Sequence, residues 1–312
     1  MAHKKTIFKP VYWGILIFII AEVLTLGVVA REDVFLEANN IYVPSQPSQA
    51  VSLWPETVVS DSGEVTQISV YSSLGPILIY FFAVVILLSI FLSVIPISAL
   101  KLVFRALFAL LFSWGVFIVL IFWLPLAVTI IISVAVGFAW FFLNKVWLHN
   151  LVMILAMVSL GAVFGRFITP WTAMILLLVL AVYDYLAVRF GYMLWMANKM
   201  GEFNALPAFT IPRHASEWWS DMKQSVLTKP VGEGLPERTY SILGGGDIGF
   251  PLLLSSSVYF AYGLNSALLV AMFSLLGLAG AYWIQATILK GKPMPALPPI
   301  AALSLVGLLI VL

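Results

Sequence analysis

The sequence predicts an all-α integral membrane protein with nine transmembrane helices. Three observations carry that prediction: composition, the number of long apolar runs, and the placement of basic residues. Hydrophobic residues make up 62% of the 312 and charged residues 10%, against about a quarter charged in a soluble domain. A chain with so little polar surface has lipid as its main solvent.

A helical crossing needs about 20 apolar residues. Runs of that kind occur at Val11–Val29, Leu74–Ile97, Leu151–Ile168, Trp171–Met196, Ile242–Tyr262, Asn265–Leu289 and Pro295–Leu312. Between Ala106 and Leu143 lie 38 residues without a charge. That stretch is too long for one crossing and predicts two, hinged near Trp123 and Pro125. With the N-terminus inside, fourteen of the sixteen Lys and Arg residues fall on the inner side and only Arg31 and Arg166 outside. A missed or invented span would scramble this split, so the positive-inside rule supports both the count and the direction. The C-terminus then falls outside. The first run also has the look of a signal peptide, with Lys4, Lys5 and Lys9 ahead of it, but its apolar stretch is long for one.

Two stretches stay out of the membrane. The acidic outer loop 31–73 has alternating Val58, Val59, Val65, Ile68 and Val70, which predict a hairpin across Asp61-Ser62-Gly63. The inner loop 197–241 is rich in Pro and Gly and reads as a linker. It divides the chain into a six-helix part, 1–196, and a three-helix part, 242–312.

Several functions are excluded. Cysteine is absent, so disulfide and thiol chemistry are too. His3, His149 and His214 lack the paired spacing of a zinc site; no metal and no cofactor is expected. A net charge of +2 gives no basic patch for nucleic acid. Ser255, Ser256 and Ser257 have no histidine or lysine near in sequence to activate a hydroxyl.

Only three acidic residues lie inside the predicted spans: Glu22, Asp184 and Asp247. An intramembrane charge costs about 2.5–3.5 kcal/mol on insertion scales, so such residues usually have a task. The sixth span runs inward and the seventh outward, so Asp184 and Asp247 reach similar depth on antiparallel neighbours. Gly244, Gly245 and Gly246 allow close backbone approach just before Asp247. At this point two uses stand open: a pair of carboxyls for hydrolysis, and the acids of a proton- or ion-coupled transporter or channel. Glu22 reads as a structural or water-facing group.

Tyr183-Asp184, Gly244-Gly245-Gly246-Asp247 and Pro295-Ala296-Leu297, in that order on spans six, seven and nine, resemble the YD, GxGD and PAL motifs of presenilins and signal peptide peptidases. The resemblance implies an intramembrane aspartyl protease that cuts transmembrane helices or remnant signal peptides, with Asp184 and Asp247 as the catalytic pair. It implies supporting roles at the site for Tyr183, Gly244, Gly246, Pro295, Ala296 and Leu297. Tyr183-Asp184 with Ala187-Val188 looks presenilin-like, Ile248 and Pro251 look like signal peptide peptidases, and the short loops resemble microbial homologues. A microbial cytoplasmic membrane is the expected location, and transmembrane peptides and the bilayer are the expected partners. Homo-oligomerisation and partner subunits are left open by this mixed likeness. The presenilin likeness also suggests self-cleavage in the inner loop, around Leu206–Ile211, although a plain flexible linker is the preferred reading.

Overall fold

The structure, a computed structural model, describes residues 8–41, 57–59, 65–67, 97–143, 145–191, 207–212, 215–222, 240–289 and 294–312. Met1–Gln46 and Phe104–Leu312 form one compact unit, and Pro47–Val103 forms another. In the second unit, β1 (Thr57–Val59) and β2 (Val65–Gln67) pair antiparallel, Val58 opposite Thr66. This is the hairpin that the alternating valines predict. The expected second span, Leu74–Ile97, lies outside the described residues up to Pro96.

The other helices are α1 (Phe8–Ala38), α2 (Ile97–Leu120), α3 (Leu126–Phe142), α4 (Val146–Phe167), α5 (Pro170–Arg189), α6 (Gly245–Tyr262), α7 (Leu264–Thr287) and α8 (Leu297–Val311). Many of their residues are β-branched and poor helix formers in water. Hydrocarbon reverses that preference, because a helix satisfies its own backbone where no solvent can. Among the described residues, five helices are long and apolar enough to cross a membrane, within Val11–Ala38, Lys101–Leu120, Val146–Phe167, Pro170–Arg189 and Leu264–Thr287; Leu126–Phe142 and Leu297–Val311 are shorter and apolar. The chain is a multi-pass, mostly helical membrane protein. The uncharged 38-residue run breaks at residues 121–125, where Pro125 precedes α3 in an extended conformation. Thr169 caps α5 by accepting the Thr172 N–H at 3.2 Å, with Pro170 next to it.

The core of the larger unit forms around α4 and α6. Phe18, Ala21 and Val29 of α1, Val152 and Val158 of α4, and Ile248 and Leu252 of α6 are fully or almost fully buried in one cluster. Helix α1 is thus built into the core. Small residues set the spacing. A Cβ on Gly161 would meet the backbone of Leu252 at 3.2 Å, and one on Gly165 would meet the Ser256 Cβ at 2.3 Å. Between α7 and α8 it is backbone that comes this close, since a Cβ on Gly277 would lie 2.5 Å from the Ile300 Cα. Association through small residues is how helices pack when lipid is as apolar as their own surfaces.

The inner loop departs from the expected linker. Within it, β3 (Ala208–Pro212) pairs antiparallel with β4 (Tyr240–Gly244), and Ala215–Trp219 form a 3-10 turn. The prolines mark a loop, but the apolar run between them is a strand, all five residues of which are buried. The Leu206–Ile211 stretch suggested for self-cleavage is largely this buried strand. Helix α6, the expected seventh span, begins at Gly245 and not at Ile242, because Tyr240–Gly244 are committed to the sheet.

Gly277→Ala is expected to cost about 1–3 kcal/mol through overpacking against α8, seen as a lowered melting temperature in detergent. Gly280→Ala on the same helix, with open space around it, is expected to melt at or slightly above the wild-type temperature.

Candidate active site

Asp184 sits in the penultimate turn of α5. Its neighbours Val182, Tyr183 and Tyr185 are exposed on the helix surface, whereas Asp184 is 7% exposed. Its Oδ2 accepts the N–H of Leu297 at 3.2 Å, and the N–H of Ala296 is directed to the same carboxyl. This contact follows from the sequence at the start of α8. A helix leaves its first N–H groups without internal partners. Pro298 and Pro299 have none to offer, Leu297 gives its own to Asp184, and Ile300 bonds back to the Ala296 carbonyl. The Pro295-Ala296-Leu297 segment is therefore held to α5 through an aspartate.

Asp247 occupies the first turn of α6 and is also 7% exposed. Its Oδ2 accepts the N–H of Gly244 at 3.2 Å, so the carboxylate caps the helix it belongs to. Asp184 lies near enough for its charge to act on Asp247. The two carboxyls, 63 positions apart in the chain, thus lie near each other where α5, α6 and α8 converge.

The glycines are confined unequally. A Cβ on Gly244 would lie 3.0 Å from Asp247 Oδ2, and one on Gly246 would lie 3.2 Å from the Phe250 ring. The tightest is Gly245, whose Cβ would meet Met153 at 2.9 Å and the Pro207 carbonyl oxygen at 3.0 Å. That carbonyl accepts the Gly245 N–H at 3.1 Å. The motif's variable position is here the one with backbone against it.

Beside Asp247 lies a cavity lined by Ser241–Gly244 of β4, Tyr282 and Gln285 of α7, and Met294 and Ala296. Its volume is about 70 Å³, several times the ~10–15 Å³ that one water needs. Water thus has room next to a buried carboxylate.

Residues 64–312 match the family described as signal-peptide peptidase, presenilin aspartyl protease. The chain belongs to that family. The match covers Asp184, Asp247 and the segment before α8. No curated protein is matched by the sequence. Two crystal forms of a presenilin family intramembrane aspartate protease share the fold. The C222 form has a TM-score of 0.55 at 18% identity, over 96% of this chain and 98% of that one. The P2 form has 0.51 at 19%, over 95% of each. The protein is accordingly an intramembrane aspartyl protease, and nothing in the match or the fold supports a transporter.

Within this aspartyl protease the structure brings Asp184, Asp247, Gly244, Ala296 and Leu297 together. Gly246 faces Phe250 on its own helix. Tyr183 is turned away and 52% exposed, because adjacent helical residues point to different faces. Tyr282 and Gln285 do not stand out in the sequence motifs; two polar groups three residues apart near the end of a largely apolar helix are the signal that marks them. Glu22 is buried and accepts from the Ser255 hydroxyl at 2.9 and 3.0 Å, tying α1 to α6.

Gly245→Ala is expected to lower proteolysis at least about tenfold, since a backbone carbonyl has to move to admit the methyl group. Gly246→Ala, which meets only the edge of a side chain, is expected to lose less. Initial rates on one transmembrane peptide compare the two.

Proposed function

We propose that Asp184 and Asp247 are the catalytic pair with which the protein hydrolyses peptide bonds of transmembrane helices or remnant signal peptides. The observation that carries this is the approach of two buried carboxyls from separate helices, one of which, Asp247, lines a cavity with room for water. Two carboxylates about 4 Å apart repel by roughly 4 kcal/mol at an effective dielectric of 20, so the pair holds one proton between them. The ionised member takes a proton from water as its oxygen attacks the scissile carbonyl carbon. The protonated member polarises the carbonyl oxygen, and a proton then passes to the leaving amine as the C–N bond breaks. Every step uses side chains and water alone.

Substrate needs a second feature. A transmembrane helix hides its carbonyls, and once unwound in lipid its backbone groups require new partners. Strand β4 offers them. Its pairing with β3 runs through Phe209–Leu243 and Ile211–Ser241, because Thr210 turns its own N–H and C=O the other way, toward Asn150. Ile242 therefore directs its N–H and C=O to the opposite edge, which has no strand partner among the described residues. That edge runs along the cavity and ends at Asp247. A substrate segment added there as a strand has its backbone satisfied and its next peptide bond delivered to the pair. The site thereby gains a docking edge in β4, next to the Pro295–Leu297 segment.

We read the chain as nine spans with the N-terminus inside, in the six-plus-three arrangement divided by 197–241. The contacts are consistent with alternation. Arg31 near the end of α1 donates to Phe122 after α2, and Arg166 at the end of α4 meets Glu32 and Asp33. The ends that carry Asp184, Asp247 and Leu297 gather at the other side. A microbial cytoplasmic membrane suits the short loops.

In detergent with a transmembrane peptide, Asp184→Asn and Asp247→Asn are each expected to reduce cleavage by roughly 10²–10⁴ or to below detection. Cleavage that survives either change would remove the paired mechanism. Ile242→Pro deletes an outward N–H without touching the β3 pairing. It is expected to raise KM several-fold, with the melting temperature little changed.

A further inference from the structure

Strand β3 has an outer edge as well, and helix α4 occupies it. The Asn150 amide makes two hydrogen bonds to one residue of the strand: its Oδ1 accepts the Thr210 N–H at 2.9 Å, and its Nδ2 donates to the Thr210 carbonyl at 2.7 Å. This is the pair of bonds that a neighbouring strand would make. Two residues along the strand, His149 Nε2 lies 2.9 Å from the Ala208 carbonyl, while Trp140 Nε1 donates to His149 Nδ1 at 3.2 Å. With Nδ1 accepting, the ring's proton is on Nε2 and is donated to Ala208. Pro212, the next residue facing outward, has no N–H at all. The three outward positions of β3 are thus bonded to a side chain or carry no donor. His149, Asn150 and Thr210 are 1%, 2% and 0% exposed.

A side-chain network buried this deeply is costly unless every member is satisfied, and side chains are an unusual means of closing a strand edge. Their effect reaches the active site through the ladder. Ala208 stands opposite Gly244, and the Pro207 carbonyl holds the Gly245 N–H. Fixing β3 against α4 therefore fixes the height of Gly244, whose N–H holds the Asp247 carboxylate.

We infer that Asn150, assisted by His149, is a positioning residue of the protease: its amide takes the place of a third strand on β3, which leaves the outer edge of β4, unpaired among the described residues, to the substrate and sets the register of that edge against Asp247. The inference rests on the protease reading given above. It differs from a general stabilising role in what it controls, namely where the substrate is cut and how tightly it is held.

The test compares wild type, Asn150→Ala, Asn150→Gln and Asp247→Asn, purified in detergent, on one transmembrane peptide. KM and kcat are measured, cleavage positions are mapped by mass spectrometry, and melting temperatures are recorded. Asn150→Ala is expected to raise KM about tenfold or more, the order expected for two lost buried hydrogen bonds, and to spread cleavage over neighbouring peptide bonds. Asn150→Gln keeps both hydrogen-bonding groups one methylene further out, and is expected to recover part of the affinity with a shifted or mixed product. A folded Asn150→Ala enzyme that cuts at the wild-type position with KM within twofold overturns the inference, as does a fall in kcat alone with unchanged products. If Asn150→Ala does not fold, Asn150→Gln decides on the same criteria. A wild type that does not cleave, or an Asp247→Asn enzyme that does, overturns the protease reading and this inference with it. Correct behaviour of those two controls confines any failure to the positioning role.

Discussion

Hydrocarbon offers no hydrogen bonds, and this constraint governs the whole site. An intramembrane protease needs extended and interrupted backbone near its carboxyls, since a closed helix can neither hold a substrate strand nor admit water. Each interruption must then be satisfied by the protein itself. The orphan N–H groups at the start of α8 are answered by Asp184 and by prolines that carry none. The N–H of Gly244 is answered by Asp247, and the outer edge of β3 by Asn150 and His149. Both proposed catalytic carboxylates are thereby also structural acceptors, so the geometry of the pair is tied to the backbone breaks that make the site possible.

The same constraint accounts for the other buried charges. Arg166 is 5% exposed, with its guanidinium bonded to Glu32 at 2.7 Å and Asp33 at 2.5 Å and lying 4.3 Å over the Phe260 ring. A buried cation is tolerable only when so paired, and the loss of one partner costs more than the pair contributes. The cluster joins α1, α4 and α6 at one end, and Glu22 with Ser255 joins α1 to α6 within the bundle. At the other end Lys145 bonds Asp221 at 2.8 Å, and the Ser220 hydroxyl bonds that of Tyr240, so β4 is held near α4 from a second direction.

Much of this was legible in the sequence, and for identifiable reasons. Long apolar runs report helices well in lipid, because composition there decides conformation; α3, α4, α5 and α7 fall where expected to within a few residues at most ends. The two aspartates stood out because a carboxyl in an apolar run is costly to insert and rarely sits there without a task. The β3–β4 sheet was hidden. Ala208–Pro212 lies among prolines and is too short for its pattern to outweigh them, and its pairing partner is 28 or more residues away. Asn150 and His149 gave no sign either, since their bonds go to backbone, which any sequence supplies. Gly245 occupies a position that the motif leaves variable, and only the packing of Met153 and Pro207 shows why it is small.

The capping of Gly244 by Asp247 has a consequence for how substrate is measured. Along the outer side of β4, Ile242 presents an N–H with no strand partner among the described residues, but the next outward donor is already held by the carboxylate. A strand growing along this edge can thus be zipped only as far as Ile242 before its path reaches an acid instead of an amide. The ladder ends where the chemistry begins. If substrate adds along this edge as proposed, the sheet acts as a ruler that sets which of its bonds reaches the carboxyls.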